Sequence, residues 1–144
     1  MFQILVLTHG PLGHVLLESA RTIAGDTPNV SALALEWGDT LEQAREKVHA
    51  ELERLDDGEG VLVLTDMYGG TPFNVARSLV RPGRVEIVTG VNLPMVLRLS
   101  CLNQGDPGLS EAAEWIQGKG QQAICQCTEA PPVASGDAEE AGCD

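Results

Sequence analysis

Apolar residues along this chain fall into two alternating patterns. Residues 2–7 form an apolar run, the mark of a strand buried on both faces. Leu12, Val15, Leu16, Ser19, Ala20 and Ile23 then recur at helical spacing, and Gly25 closes that helix. Residues 30–35 predict a second strand. Asp39 with Glu42 reads as a capping box, opening a helix whose inner face is Leu41, Ala44, Val48, Leu52 and Leu55. Residues 60–65 contain Val-Leu-Val-Leu and predict a third buried strand. Thr71 and Pro72 predict the start of a helix, with Thr71 as its cap and Pro72 in the first turn, where a missing N–H costs nothing. Residues 84–89 predict a fourth strand, and Pro94 opens a helix to about residue 102. A turn at Asp106-Pro107-Gly108 leads to a last helix marked by Leu109, Ala112, Ala113 and Ile116. Residues 121–127 are the candidate for a short final strand.

Alternating units with buried apolar strands predict an α/β fold. The expected form is a single doubly wound domain, with a parallel sheet covered by helices on both faces. Wound from the middle, four strands take the order 2-1-3-4. The domain is expected over residues 1–127. Residues 128–144 are rich in Ala, Pro, Gly, Ser and acids and predict a disordered acidic tail.

Charge narrows the partners. Nine bases against 21 acids give a net charge of −12, which disfavours a nucleic-acid partner. No leader with a basic start and an apolar stretch of sufficient length is read at the N-terminus, and no segment is apolar enough to span a bilayer. A cytoplasmic location is expected, with reduced thiols at Cys101, Cys125, Cys127 and Cys143. The Cys125-x-Cys127 pair lacks a second pair at zinc-site spacing, so one buried and one exposed thiol are expected, and no metal.

In an open parallel sheet a ligand crevice lies beyond the carboxyl ends of the strands, where strand order reverses. Here that point falls between the first and third strands. Thr8-His9-Gly10-Pro11 follows the first, and Asp66-Met67-Tyr68-Gly69-Gly70-Thr71-Pro72 follows the third. A carboxylate accepting one ring N–H fixes a histidine's tautomer, leaves the other nitrogen free to attack, and stabilises the imidazolium. Gly69 and Gly70 let the backbone approach a ligand closely. The helix starting at Thr71 points orphan N–H groups at the same crevice, as phosphate sites require. A strand-end histidine is more often a structural hydrogen-bonder, an aspartate there an ordinary cap, and Gly-Gly-Thr-Pro an ordinary turn. Their joint placement points to a phosphoryl group on His9, oriented by Asp66. Tyr68 walls the crevice or packs. Asn92-Leu93-Pro94 borders the crevice or makes a routine helix entry. His14 does not share a helical face with His9, and His49 sits on the second helix.

The sequence resembles the mannose-type enzyme IIA family of the bacterial phosphoenolpyruvate:sugar phosphotransferase system. The likeness runs from Met1 to about Ile124. It rests on Thr8-His9-Gly10, on Asp66-x-x-Gly69-Gly70-Thr71-Pro72-Phe73-Asn74, and on Gly90-Val91-Asn92-Leu93-Pro94-Met95. The resemblance implies His9 as phosphoacceptor through Nε2, Asp66 bonded to Nδ1, and Gly69, Gly70 and Thr71 around the phosphoryl oxygens. Thr8, Gly10, Met67, Tyr68, Pro72, Asn92, Leu93 and Pro94 would form the pocket and docking surface. The donor would be an HPr-type phosphocarrier. The acceptor would be a separate IIB protein, which links the chain indirectly to a membrane IIC/IID complex. A homodimer is implied, with residues 121–127 as a fifth, antiparallel edge strand exchanged between copies. No cofactor is implied. Tyr68 stands where a tryptophan is common in the family.

Rival functions use the same residues. A regulatory phosphohistidine switch, in a system without sugar transport, would have an identical site. The phosphoryl donor of a dihydroxyacetone kinase is similar in fold, but the match over residues 90–95 favours the sugar system. A receiver-like domain phosphorylated on Asp66 needs an acidic pair after the first strand and a nearby lysine. Thr8-His9-Gly10 supplies no acid, and Lys47 and Lys119 fall on predicted helices. A ligand-binding module without chemistry would leave no label on His9. A P-loop nucleotidase is excluded by the missing motif.

Overall fold

The computed structural model describes residues 1–103, 105 and 107–129. Four strands, β1 (Gln3–His9), β2 (Val30–Leu35), β3 (Val61–Thr65) and β4 (Val85–Thr89), form one sheet ordered β2-β1-β3-β4. Every pairing within it is parallel. The helices are α1 (Leu12–Ala24), α2 (Leu41–Leu55), α3 (Thr71–Arg77), α4 (Leu93–Ser100) and α5 (Leu109–Gln122). The expected strand order and doubly wound form are the ones observed.

Strand alternation builds two cores. Ile4, Val6, Leu62 and Leu64 face α1, α4 and α5, where they meet Leu17, Met95, Leu99 and Ile116. Leu5, Leu7, Val61 and Val63 face α2 and α3, where they meet Val48, Leu52, Val75 and Ala76. Because the strands are parallel, His9, Leu35, Thr65 and Thr89 all end at one rim of the sheet.

Several local expectations shift. β1 continues through His9, so the histidine closes the strand instead of following it. The capping box of α2 is Thr40 with Gln43: Gln43 N donates to Thr40 Oγ1 (3.1 Å) and Thr40 N to Gln43 Oε1 (2.9 Å). Asp39 is drawn off by other partners, accepting from Glu36 N at 3.0 Å and Lys47 Nζ at 2.8 Å. Leu41 is exposed, and the inner face of α2 is Ala44, Val48, Leu52 and Leu55. The N-cap of α3 is Gly70, not Thr71, which becomes the first helical residue.

The apolar stripe expected on α1 largely faces out. Gly13, Leu17 and Ala20 are buried, whereas Leu12, Val15 and Ile23 are exposed. Gly13 explains the rotation. A Cβ there would lie 3.1 Å from Val6 O and 3.2 Å from Thr8 Oγ1, tighter than ordinary contact, so glycine eases the close approach of α1 to the sheet.

The candidate final strand does not form within this chain. Gln121 and Gln122 complete α5, and residues 124–128 adopt no regular structure. Cys125 and Cys127 are both free and exposed, because this segment leaves the core. Asp106 of the expected turn, and the expected tail beyond Glu129, lie outside the described residues. Among the described residues, no helix is long and apolar enough to cross a membrane.

Candidate functional site

The rim between β1 and β3 holds a fixed pair. Asp66 Oδ2 lies 2.7 Å from His9 Nδ1. The same oxygen accepts the His9 backbone N–H at 3.0 Å, and Oδ1 accepts the N–H of Met67 at 3.0 Å. The carboxylate is therefore held by two amides before it meets the ring. Register brings the two residues together, since Leu7 is opposite Thr65 and each strand then runs out toward the rim.

Burial pushes the Asp66 carboxyl up, but the His9 amide, the His9 ring and the Met67 amide outweigh it. Its pKa is held below the ordinary carboxylate value. An ionised carboxylate only accepts hydrogen bonds, so Nδ1 must carry the ring proton. In the neutral ring this leaves the lone pair on Nε2. The His9 side chain is 20% exposed and that of Asp66 11%, which keeps the pair sheltered without sealing it in the core.

Two further residues confine the imidazole. A Cβ on Gly70 would lie 2.9 Å from His9 Cε1 and 3.1 Å from Met67 Cγ, so the glycine is required by close approach. Gly69, at φ +79°, turns the chain into α3. Trp37 lies against the ring, with centroids 5.0 Å apart and planes inclined by 20°. Trp37 is absent from the sequence-based site. Its signal is positional. β2 runs parallel beside β1 with Leu35 opposite His9, so residues just after β2 emerge at the same rim.

The other expected site residues divide. Gly10 (φ +53°) turns the chain from β1 toward α1. Met67 and Tyr68 are exposed beside the pair, and Tyr68 packs on Phe73 with centroids 4.7 Å apart. Thr71 is exposed at the start of α3, while Pro72 is buried. Thr8 cannot line a pocket. It is fully buried, and its Oγ1 accepts the Gly13 N–H at 2.8 Å, serving the first turn of α1. Asn92 braces helices: Oδ1 accepts Met95 N at 3.1 Å, and Nδ2 donates to Gly120 O at 3.2 Å. It lines a cleft of about 490 Å³ with Tyr68, Thr89, Gln121 and Ile124, beside β4. Leu93 packs against the α1/α4/α5 core, and Pro94 is exposed in the first turn of α4.

A sequence profile described as EIIA-man, PTS system fructose IIA component, matches residues 3–117. The mannose-specific EIIAB component of the phosphotransferase system of Escherichia coli K12 is 34% identical over 131 residues, which are 90% of this chain and 40% of that protein. The chain thus spans about two-fifths of that relative's length. The fructose-specific EIIA component of Bacillus subtilis 168 is 30% identical over 130 residues, covering 90% of this chain and 88% of that protein. Among solved structures, a mannose/sorbose-specific IIA subunit from Enterococcus faecalis superposes with a TM-score of 0.81 at 25% identity, over 92% of this chain and 98% of that one. A IIA protein associated with a fucose utilization operon in Streptococcus pneumoniae gives 0.74 at 31% identity, over 86% and 91%.

Proposed function

The chain belongs to the EIIA-man family of phosphotransferase-system IIA components, and on that premise we propose that it is a phosphocarrier whose phosphoacceptor is Nε2 of His9. The observation that carries this reading is the 2.7 Å contact between Asp66 Oδ2 and His9 Nδ1, with the carboxylate itself held by two amides. That arrangement assigns the proton to one nitrogen and the nucleophilic lone pair to the other.

The transfer is an in-line exchange between two imidazoles. The N–P bond of an HPr-type phosphohistidine breaks as the Nε2–P bond forms. The donor ring leaves with the electron pair of the broken bond, and the Nδ1 proton stays in its bond to Asp66. Positioning and stabilisation of charge on the equatorial oxygens supply the catalysis. Gly69, Gly70 and Thr71 meet those oxygens. Thr71, as the first helical residue, leaves its amide without an in-helix acceptor. The group then passes to a IIB protein by the same chemistry in reverse, and so indirectly to a membrane IIC/IID complex.

Docking has a surface to match. Leu12 and Val15 after β1, Leu41 after β2, and Met67 and Tyr68 after β3 are exposed apolar residues at the rim that holds His9. Clustered apolar exposure of this kind marks a protein-contact site. The named relatives belong to mannose and fructose systems, which fits a component that handles the phosphoryl group and never meets the sugar. The chain works in the cytoplasm, with residues 1–127 as one unit, and as a homodimer in which residues 124–128 add to the free edge of β4 in a second copy.

Incubation with enzyme I, HPr and labelled phosphoenolpyruvate tests this. Label that is stable to base and labile to acid is expected on the wild type and absent from His9→Ala. Equal labelling of the two would overturn the assignment.

A further inference from the structure

Trp37 occupies a place that the core does not demand. It is 83% exposed and belongs to neither core cluster. Yet its indole is stacked on the His9 imidazole at 5.0 Å and 20°. Asp66 meets the ring at its Nδ1 edge, and Gly70 lies close to Cε1. The indole lies along a ring face.

We propose that Trp37 is a positioning residue for phosphoryl transfer, fixing the plane of the His9 ring and favouring its phosphorylated form over the free one. The inference rests on the reading of His9 as phosphoacceptor. Before transfer the ring is neutral, with a proton on Nδ1 and a lone pair on Nε2. After transfer Nδ1 keeps its proton and Nε2 bears the phosphoryl group. The ring is then an imidazolium-type cation attached to a phosphoryl dianion. The face of an indole is the negative side of its quadrupole, so it attracts a cationic ring more strongly than a neutral one. A contact that is stronger in one of two states shifts the equilibrium toward that state by the difference. Tryptophan is the best of the aromatic residues for this purpose, and phenylalanine retains a weaker version of the same face.

The full chain, Trp37→Phe and Trp37→Ala are brought to equilibrium with enzyme I, HPr and phosphoenolpyruvate, and the ratio of phospho-His9 to phospho-HPr is measured. Trp37→Ala is expected to lower that ratio by about threefold, the size of an exposed cation–π contact, and Trp37→Phe to restore most of it. The chain has two tryptophans, and the other, Trp115, packs against the α1/α4/α5 core. Wild-type indole fluorescence is expected to change on phosphorylation, and Trp37→Phe, which reports Trp115 alone, to lose that change. A general structural role would leave both signals unmoved. Label on His9 with an unaltered ratio in Trp37→Ala, or a fluorescence change that survives in Trp37→Phe, overturns the role of Trp37 alone. A wild type that takes no label, or a His9→Ala chain that does, overturns the phosphocarrier reading and this inference with it.

Discussion

At His9 the protein separates two tasks that a lone imidazole performs poorly together, namely holding a proton and presenting a lone pair. Asp66 holds the proton side. A hydrogen bond to a charged group is worth about 1.5–3 kcal/mol, so Asp66→Ala should slow labelling by roughly ten- to a hundredfold while binding of the phosphodonor persists. Equal labelling rates would remove the orienting role. The same carboxylate links stability to acidity. Its pKa is depressed in the folded chain, despite burial, by the His9 amide and ring and the Met67 amide. A depressed carboxyl contributes fully above its unfolded value and loses that contribution as pH falls through the folded one. The melting temperatures of wild type and Asp66→Ala should therefore differ most near neutral pH and converge below about pH 4. Gly70 guards the other edge of the ring. Its φ of −72° suits any residue, so Gly70→Ala introduces no backbone strain. The added methyl would lie 2.9 Å from His9 Cε1, well inside the ~3.5–4.0 Å of a normal carbon contact. Labelling should fall by about tenfold or more, while thermal stability changes little because Met67, the other neighbour, is exposed and can turn aside. A large loss of stability with normal labelling would contradict this.

Among the elements, the strands were the most legible in the sequence and the helix faces the least. β2 begins and ends where the pattern predicts, and β3, buried at every residue, is apolar up to its closing Thr65. α1 misleads because the apolar residues Leu12 and Val15 are outside, on the rim, and the helix meets the sheet through Gly13 instead. A periodic apolar stripe reports burial only where no partner surface competes for it. Asp39-x-x-Glu42 and Thr40-x-x-Gln43 both satisfy the capping pattern, and the sequence does not reveal that Asp39 is engaged by Lys47. Gly60, just before β3, shows a constraint no pattern displays. Its φ is +92°, and a Cβ would lie 2.7 Å from Leu109 Cδ2 and 2.8 Å from Arg84 O. That carbonyl also accepts the Val61 N–H at 2.8 Å. Gly60→Ala should destabilise the protein by about 2–4 kcal/mol, combining left-handed strain with overpacking. Gly58→Ala has φ +113° but open space around the Cβ, so it should cost only the strain. Denaturant midpoints of the two variants check the difference; equal losses would mean the contacts to Leu109 and Arg84 yield freely.

For the whole molecule, the order 2-1-3-4 and the crevice between β1 and β3 are legible in the alternation of elements, and that order puts His9 and Asp66 side by side. Trp37 is not legible from the switch point, because it follows β2, which adjoins β1 on the side away from β3. Residues 121–127 failed as a strand for a different reason. A strand forms only where it has a partner, and within one chain this segment has none. The sheet ends at β4, which pairs with β3 on one side and on the other is engaged only at Val85, by a bridge to Arg81. Ile87 and Val88 on that strand, with Tyr68 and the 80%-exposed Ile124, line the cleft of about 490 Å³ beside it. A free edge flanked by apolar side chains is prone to accept another strand. Residues 124–128 of a second copy have the length and the alternation of Ile124, Gln126 and Thr128 with two cysteines to serve. The full chain should therefore sediment as a dimer. A chain ending at Ala123 should sediment as a monomer with an unchanged far-ultraviolet spectrum, since residues 124–128 are exposed and contribute nothing to either core. Persistence of the dimer after this truncation would assign the contact to another surface, the apolar rim around His9 being the next candidate.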